Sequence, residues 1–94
     1  MKRKTLRPGE KIPVLLTYEE RDLIHEETFF DEGFGALALV VGDRLQVNMT
    51  PAELEDLVNY VAAASNHAKK KTVEKKLDRL GDKLEDLLST YEEE

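Results

Sequence analysis

Two segments of this chain repeat one pattern, in which a short apolar stretch runs into a threonine and a glutamate follows three residues later. The copies lie at residues 12–20 and 45–53. In each copy the threonine side chain can accept a hydrogen bond from the amide of the third helical residue, and the glutamate can accept one from the threonine amide. This reciprocal arrangement, a capping box, marks a helix start. Each copy therefore predicts a strand that leads directly into a helix, and Pro51 at the first helical position strengthens the second.

Alternating apolar residues define the expected strands. Ile12, Val14 and Leu16 share one face of a first strand, in which Pro13 is compatible only with a sheet edge or a strand start. Residues 36–41 and 44–49 flank Gly42-Asp43, a two-residue connection typical of β-hairpins. The second strand of this hairpin alternates apolar and polar residues, so one face of the sheet is expected to meet water.

Helical periodicity predicts three helices. The first runs from Tyr18 to about Thr28, and two more are expected between residue 52 and the chain end, because the first apolar stripe fades at residues 65–71. The last helix carries an apolar seam with alternating spacings of four and three, as in helices that pack against another helix. The seam residues that we expect to drive helix association are Val73, Leu77, Leu80, Leu84 and Leu87.

The order β-α-β-β-α-α indicates an α+β fold, with a small three-stranded sheet, helices on one face and a long C-terminal amphipathic helix. The repeated strand-to-helix pattern suggests that the strand at 44–49 lies between the other two and is antiparallel to both. The chain has 94 residues, which favours a single domain with a modest core. We expect a flexible basic arm at 1–8, the domain at 9–91 and a frayed acidic tail at 92–94.

Composition narrows the function classes. The chain has no cysteine, which excludes disulfides and thiolate chemistry and favours a cytoplasmic location. No apolar run is long enough to span a bilayer, so no membrane partner is expected. Residues 12–67 carry two basic and eleven acidic side chains. Such a segment repels phosphate backbones, so nucleic acid is an unfavoured partner and a basic protein a better one.

No catalytic or cofactor motif is present, and we expect neither an enzyme, a cofactor nor a metal. A metal-dependent activity centred on His25 is one alternative, since Glu26 and Glu27 follow it. Consecutive residues point away from one another on a helix, however, whereas helical zinc ligands are usually three or four positions apart. A second alternative is nucleic-acid binding through two basic clusters, which are Lys2, Arg3 and Lys4 on the arm and Lys69, Lys70 and Lys71.

The remaining hypothesis is a protein-interaction or regulatory module. Phe29, Phe30 and Phe34 lie in a glycine-containing acidic loop and are the candidate contacts for a protein partner. The opposite expectation is that they fill one end of the core. The C-terminal seam also has two alternatives, because it either packs within its own chain, which we slightly favour, or joins a second copy in a homodimer.

Overall fold

The computed structural model describes residues 4–28 and 38–93. Within them the chain forms five strands and three helices, in a mixed α+β arrangement as predicted. The elements are β1 (Lys4–Leu6), β2 (Ile12–Leu16), α1 (Tyr18–Glu27), β3 (Leu39–Val41), β4 (Arg44–Met49), α2 (Pro51–Asn66), α3 (Lys71–Ser89) and β5 (Tyr91–Glu93).

The main sheet has the order β2-β4-β3, and both pairs of strands are antiparallel. This confirms the strand order expected from the repeated pattern. The first strand of the hairpin was predicted at residues 36–41. Among the described residues it begins at Leu39, so Ala38 is not part of it. Gly42 begins the connection to β4 with a φ of 61°, whereas Asp43 has no positive φ. That combination corresponds to a type II′ hairpin turn, which favours glycine at its first central position.

Both capping boxes are present. The Thr17 side chain accepts from the Glu20 amide at 3.0 Å, and the Glu20 carboxylate accepts from the Thr17 amide at 2.8 Å. The corresponding distances for Thr50 and Glu53 are 3.2 and 3.0 Å. Each strand of the repeated pattern therefore passes into its helix through a single capping threonine.

All three helices pack on the same face of the sheet. Alternate residues of β2 and β4 point into a common core with the inner faces of α2 and α3, and α1 adds Ile24. The position of a Cβ on Gly81 would lie 3.6 Å from Val61 Cγ1, so α2 and α3 approach closely there. The fully buried side chains are Ile12, Val14, Leu16, Ile24, Leu54, Leu57, Val61, Leu77, Leu80 and Leu84.

The two chain ends differ from the sequence prediction. Part of the expected flexible arm forms β1, and part of the expected frayed tail forms β5, which pairs with β1 in parallel. The Lys4 amide donates to the Thr90 carbonyl at 2.7 Å, and Leu6 is only 4% exposed because it joins the core. After β1, a turn with Gly9 at a φ of 85° brings the chain into β2. The buried side chain of Leu6 and the parallel backbone pairing thus hold β1 and β5 in place.

Candidate interaction surface

The face of the sheet opposite the helices carries large apolar side chains that nothing in the described residues covers. Leu15 of β2 is 45% exposed, and on β3 Leu39 is 57% and Val41 46% exposed. Leu15 and Leu39 pair with Gln46 from opposite sides, and Val41 pairs with Arg44. Because directly paired residues share a face, these side chains lie on one surface. We call it the open sheet face.

Polar residues occupy the centre of the open sheet face. Gln46 donates from Nε2 to Asn48 Oδ1 at 3.0 Å, and Asp43 and Arg44 are 3.6 Å apart at the hairpin turn. The apolar residues of β2 and β3 therefore flank a central row of amide groups. A partner that covered this surface would bury apolar area on both sides and would meet hydrogen-bonding groups between them.

A shallow groove borders the open sheet face on the side of β2. It has a volume of about 320 Å³, and it is lined by Pro13 and Leu15 of β2 and, from the end of α3, by Lys83, Asp86, Leu87 and Thr90. The C-terminal half of α3 thus lies beside the outer edge of β2. On the opposite side of the sheet, β3 pairs only with β4 within the described residues.

Two ion pairs link α1 to α3. Ile24 is the one fully buried residue of α1 among those described, while Glu20 binds Lys83 at 2.7 Å and Glu19 binds Lys76 at 2.8 Å. Partial burial raises the pKa of Glu20, but hydrogen bonds from Lys83 and from the Thr17 amide outweigh that effect and hold its pKa below the usual range. Glu20 is therefore ionised near neutral pH and is unsuited to act as a proton donor.

The C-terminal seam lies against the core of its own chain. Leu77, Leu80 and Leu84 are fully buried, and Val73 and Leu87 are half-buried against the same cluster. These five side chains are the ones predicted for helix association, and in the single chain their packing partners are α2 and the sheet. A second copy could reach the three buried leucines only if α3 moved away from α2.

The nucleic-acid alternative used two basic clusters, and Lys4, the one described residue of the first, lies far from the second. Lys4 is paired with Tyr91, just after α3, and its Nζ is 5.8 Å from the centre of the Tyr91 ring. Lys69, Lys70 and Lys71 are exposed at the opposite end of the same helix. At 1.5 Å per residue, α3 separates Lys4 from these three lysines by about 30 Å. Lys2 and Arg3 lie outside the described residues.

Among the described residues, His25 belongs to no group of three potential metal ligands. Its helical neighbour Asp22 is bound to Arg21 at 2.9 Å, and His25 itself is exposed. Across residues 4–28 and 38–93, no three histidine, aspartate or glutamate side chains lie together as a metal site would require. Phe29, Phe30 and Phe34 lie outside the described residues, so their proposed contact role stays a prediction.

The alternation at residues 44–49 predicted that one face of the sheet is open to solvent, but it did not indicate which apolar residues lie on that face. The available signal was that β2 and β3 carry apolar side chains on both faces, whereas β4 alternates. In a sheet with helices on one side only, a strand that is apolar on both faces must expose some of these residues.

Comparison with protein-family models, with curated proteins and with solved structures gave no match to this chain. In the part of the chain that the structure describes, no helix combines the length and apolar character of a membrane span.

Proposed function

We propose that this protein is a non-catalytic protein-interaction module and that the open sheet face is its contact surface. The observation that carries the proposal is the grouping of Leu15, Leu39 and Val41 on one exposed face. Exposed apolar residues that occur singly need no explanation. Leu39 and Val41, however, are neighbours on one face of β3, and Leu15 lies on the same face two strands away. On a small, highly charged domain, such a surface favours a contact role. The central polar residues Gln46 and Asn48 suit the hydrogen bonds of a specific interface.

The charge of the chain supports a basic partner. The segment from residue 12 to residue 67 is strongly acidic, so its field attracts cations during encounter. The phenylalanines at 29, 30 and 34 extend the proposal as a second contact element. We also place the activity in the cytoplasm as part of the proposal, since a chain without cysteine needs no oxidising compartment.

The test begins with a photo-crosslinking amino acid at Leu15, on the open sheet face, and the same group at Asn59, exposed on α2. We expect one reproducible protein adduct from position 15 and none from position 59. The crosslinked partner is then purified and its affinity measured by calorimetry. Because Leu15 is about half exposed, Leu15→Ser should weaken binding roughly fivefold, corresponding to about 1 kcal/mol of apolar burial.

The matched control is Ala62→Ser, an exposed position on α2, which should leave the affinity unchanged. Circular dichroism must show that each variant keeps its fold. Equal affinity of the wild type and of a folded Leu15→Ser, Leu39→Ser double variant would reject the open sheet face as the contact surface. A separate Phe30→Ser, Phe34→Ser variant tests the loop, and unchanged affinity there would remove only the loop from the proposal.

A further inference from the structure

The two edges of the main sheet differ in how they are protected. At the β2 edge, Pro13 supplies no amide donor and the end of α3 lies alongside. At the β3 edge the residues are Leu39, Val40 and Val41, all exposed and none charged. Natural proteins usually protect an exposed edge with lysine, proline, a bulge or a covering element. Among the described residues, β3 has none of these.

The hairpin geometry shows which backbone groups of β3 face outward. A two-residue turn makes Val41 and Arg44 the closing hydrogen-bonded pair, and hydrogen-bonded pairs alternate along an antiparallel ladder. The N–H and C=O of Val40 therefore point away from β4. Val40 also has the highest exposed fraction, 68%, among the large apolar side chains of the described residues. Backbone and side chain at this position are both available for pairing.

We propose that a second copy of this chain pairs with β3 in an antiparallel manner, with the twofold axis at Val40, to give a continuous six-stranded sheet. Each Val40 amide then donates to the Val40 carbonyl of the other copy, and Leu39 lies opposite Val41 of the other copy. The inference goes beyond the proposed function, because it concerns the β3 edge and not the open sheet face. Val40 pairs with the buried Leu45, so its side chain is on the helix side of the sheet.

Charge is the reason to choose a second copy over a foreign segment. A twofold contact brings residues near the axis against their own equivalents, so a charged edge would repel itself. Residues 38–42 carry no charge, and the next two, Asp43 and Arg44, neutralise each other at 3.6 Å. Two copies of an acidic chain can meet at β3 without opposing like charges. A basic peptide would find no acidic side chain on this strand to select it.

The size of the edge sets the expected strength of the dimer. A stable interface usually buries about 800 Å² on each partner and involves more than twenty residues a side. A three-residue strand provides much less than that. The contact should therefore be weak, so that monomer and dimer exchange and their ratio depends on protein concentration.

The test uses the full-length protein and sedimentation equilibrium from roughly 10 µM to 1 mM, a range suited to small interfaces. We expect the mean mass to rise from that of the monomer toward that of a dimer and no further. Amide hydrogen exchange gives the location: the Val40 amide should become protected as the concentration rises, whereas the Val41 amide is protected throughout. Val40→Lys and Val40→Pro should each weaken self-association at least tenfold.

The matched control is Asn59→Lys, which adds the same charge at an exposed position on α2, away from the β3 edge, and should leave the dimer intact. Val40→Lys keeps the test decisive if Val40→Pro does not fold. A wild type that stays monomeric at every concentration would overturn the inference, as would a dimer unaffected by Val40→Lys or an open-ended series of larger species. If the Val40 amide became protected only when another protein was added, that protein and not a second copy would be the partner of β3, and the inference would be wrong. Any of these results leaves the crosslink at Leu15 as an independent test of the proposed function.

Discussion

Replacing Leu84 by alanine tests how α3 is held. Leu84 lies on α3 and is fully buried in the core that α3 forms with α2 and the sheet. The substitution removes about three methylene equivalents at roughly 0.8 kcal/mol each, and the cavity that remains adds to the loss. We expect the free energy of unfolding to fall by about 3 kcal/mol, which is a large share of the 5–14 kcal/mol that is typical for a domain of about this size.

The assay is urea denaturation followed by circular dichroism. With a slope of about 1–1.5 kcal/mol per molar urea, the midpoint should fall by about 2–3 M while the slope is unchanged. Leu88→Ala is the matched control, because it makes the same chemical change in the same helix at a half-buried position. Its expected loss is about 1 kcal/mol. Helix propensity favours alanine slightly at both positions, so it does not explain a difference between them.

Protein concentration separates the two possible partners of the seam. If α3 packs within its own chain, the midpoint stays constant between about 0.2 and 20 µM. If the seam formed a subunit interface, dilution would lower the midpoint, because dissociation and unfolding would be coupled. A loss below about 1 kcal/mol for Leu84→Ala, or a midpoint that rises with concentration, would refute the packing described above.

Three further substitutions test local features of the fold. Folding lowers the pKa of Glu20, so its stabilising effect is present above its unfolded pKa and is lost as the pH falls through the lower folded pKa. Glu20→Gln keeps an acceptor for the capping box but loses the partly solvent-screened ion pair with Lys83. It should therefore lower the free energy of unfolding by about 0.5 kcal/mol at pH 7 and by less at pH 3. An equal loss at both pH values would count against the ion pair. Gly81→Ala should stabilise the fold by up to about 1 kcal/mol, because the new Cβ would make only an ordinary contact with Val61. Gly42→Ala should destabilise the fold by about 1 kcal/mol, because alanine is strained at the positive φ of this position. Thermal unfolding of both glycine variants checks this, and the same sign for both would contradict it.

The helix starts could be predicted because their causes are local. A capping box needs one threonine, one glutamate and backbone groups within four residues, so the sequence contains all its parts. The order of β2, β4 and β3 also followed from local patterns, since a tight hairpin makes β3 and β4 neighbours and alternation shows which face is buried. Thr17 and Thr50 then determine where each strand ends.

The pairing of β1 with β5 could not be predicted in the same way. Each strand has three residues, too few for a recognisable alternation, and the pairing joins Lys4 to Tyr91 across almost the whole chain. Basic and acidic runs at chain ends usually indicate fraying. The buried side chain of Leu6 reverses that expectation, and its burial depends on a pocket that exists only after the helices have packed.

Periodicity likewise shows that an apolar stripe is buried without showing what covers it. The spacing of the α3 seam is the same for helices that pack within one chain and for helices that pack between two chains. The structure supplies the missing partner in α2, where Val61 lies close to Gly81. For the open sheet face the limit is different, because an apolar side chain on a strand is equally compatible with burial in the core and with exposure at an interface.

The most direct test of this account is methyl NMR with a soluble paramagnetic agent, on protein dilute enough to be monomeric. We expect strong line broadening for Leu15, Leu39 and Val41, and little for Leu80 and Leu84, because the first group is exposed and the second is buried. If Leu80 and Leu84 broadened while the sheet residues were protected, α3 would be the exposed apolar surface and the open sheet face would not exist.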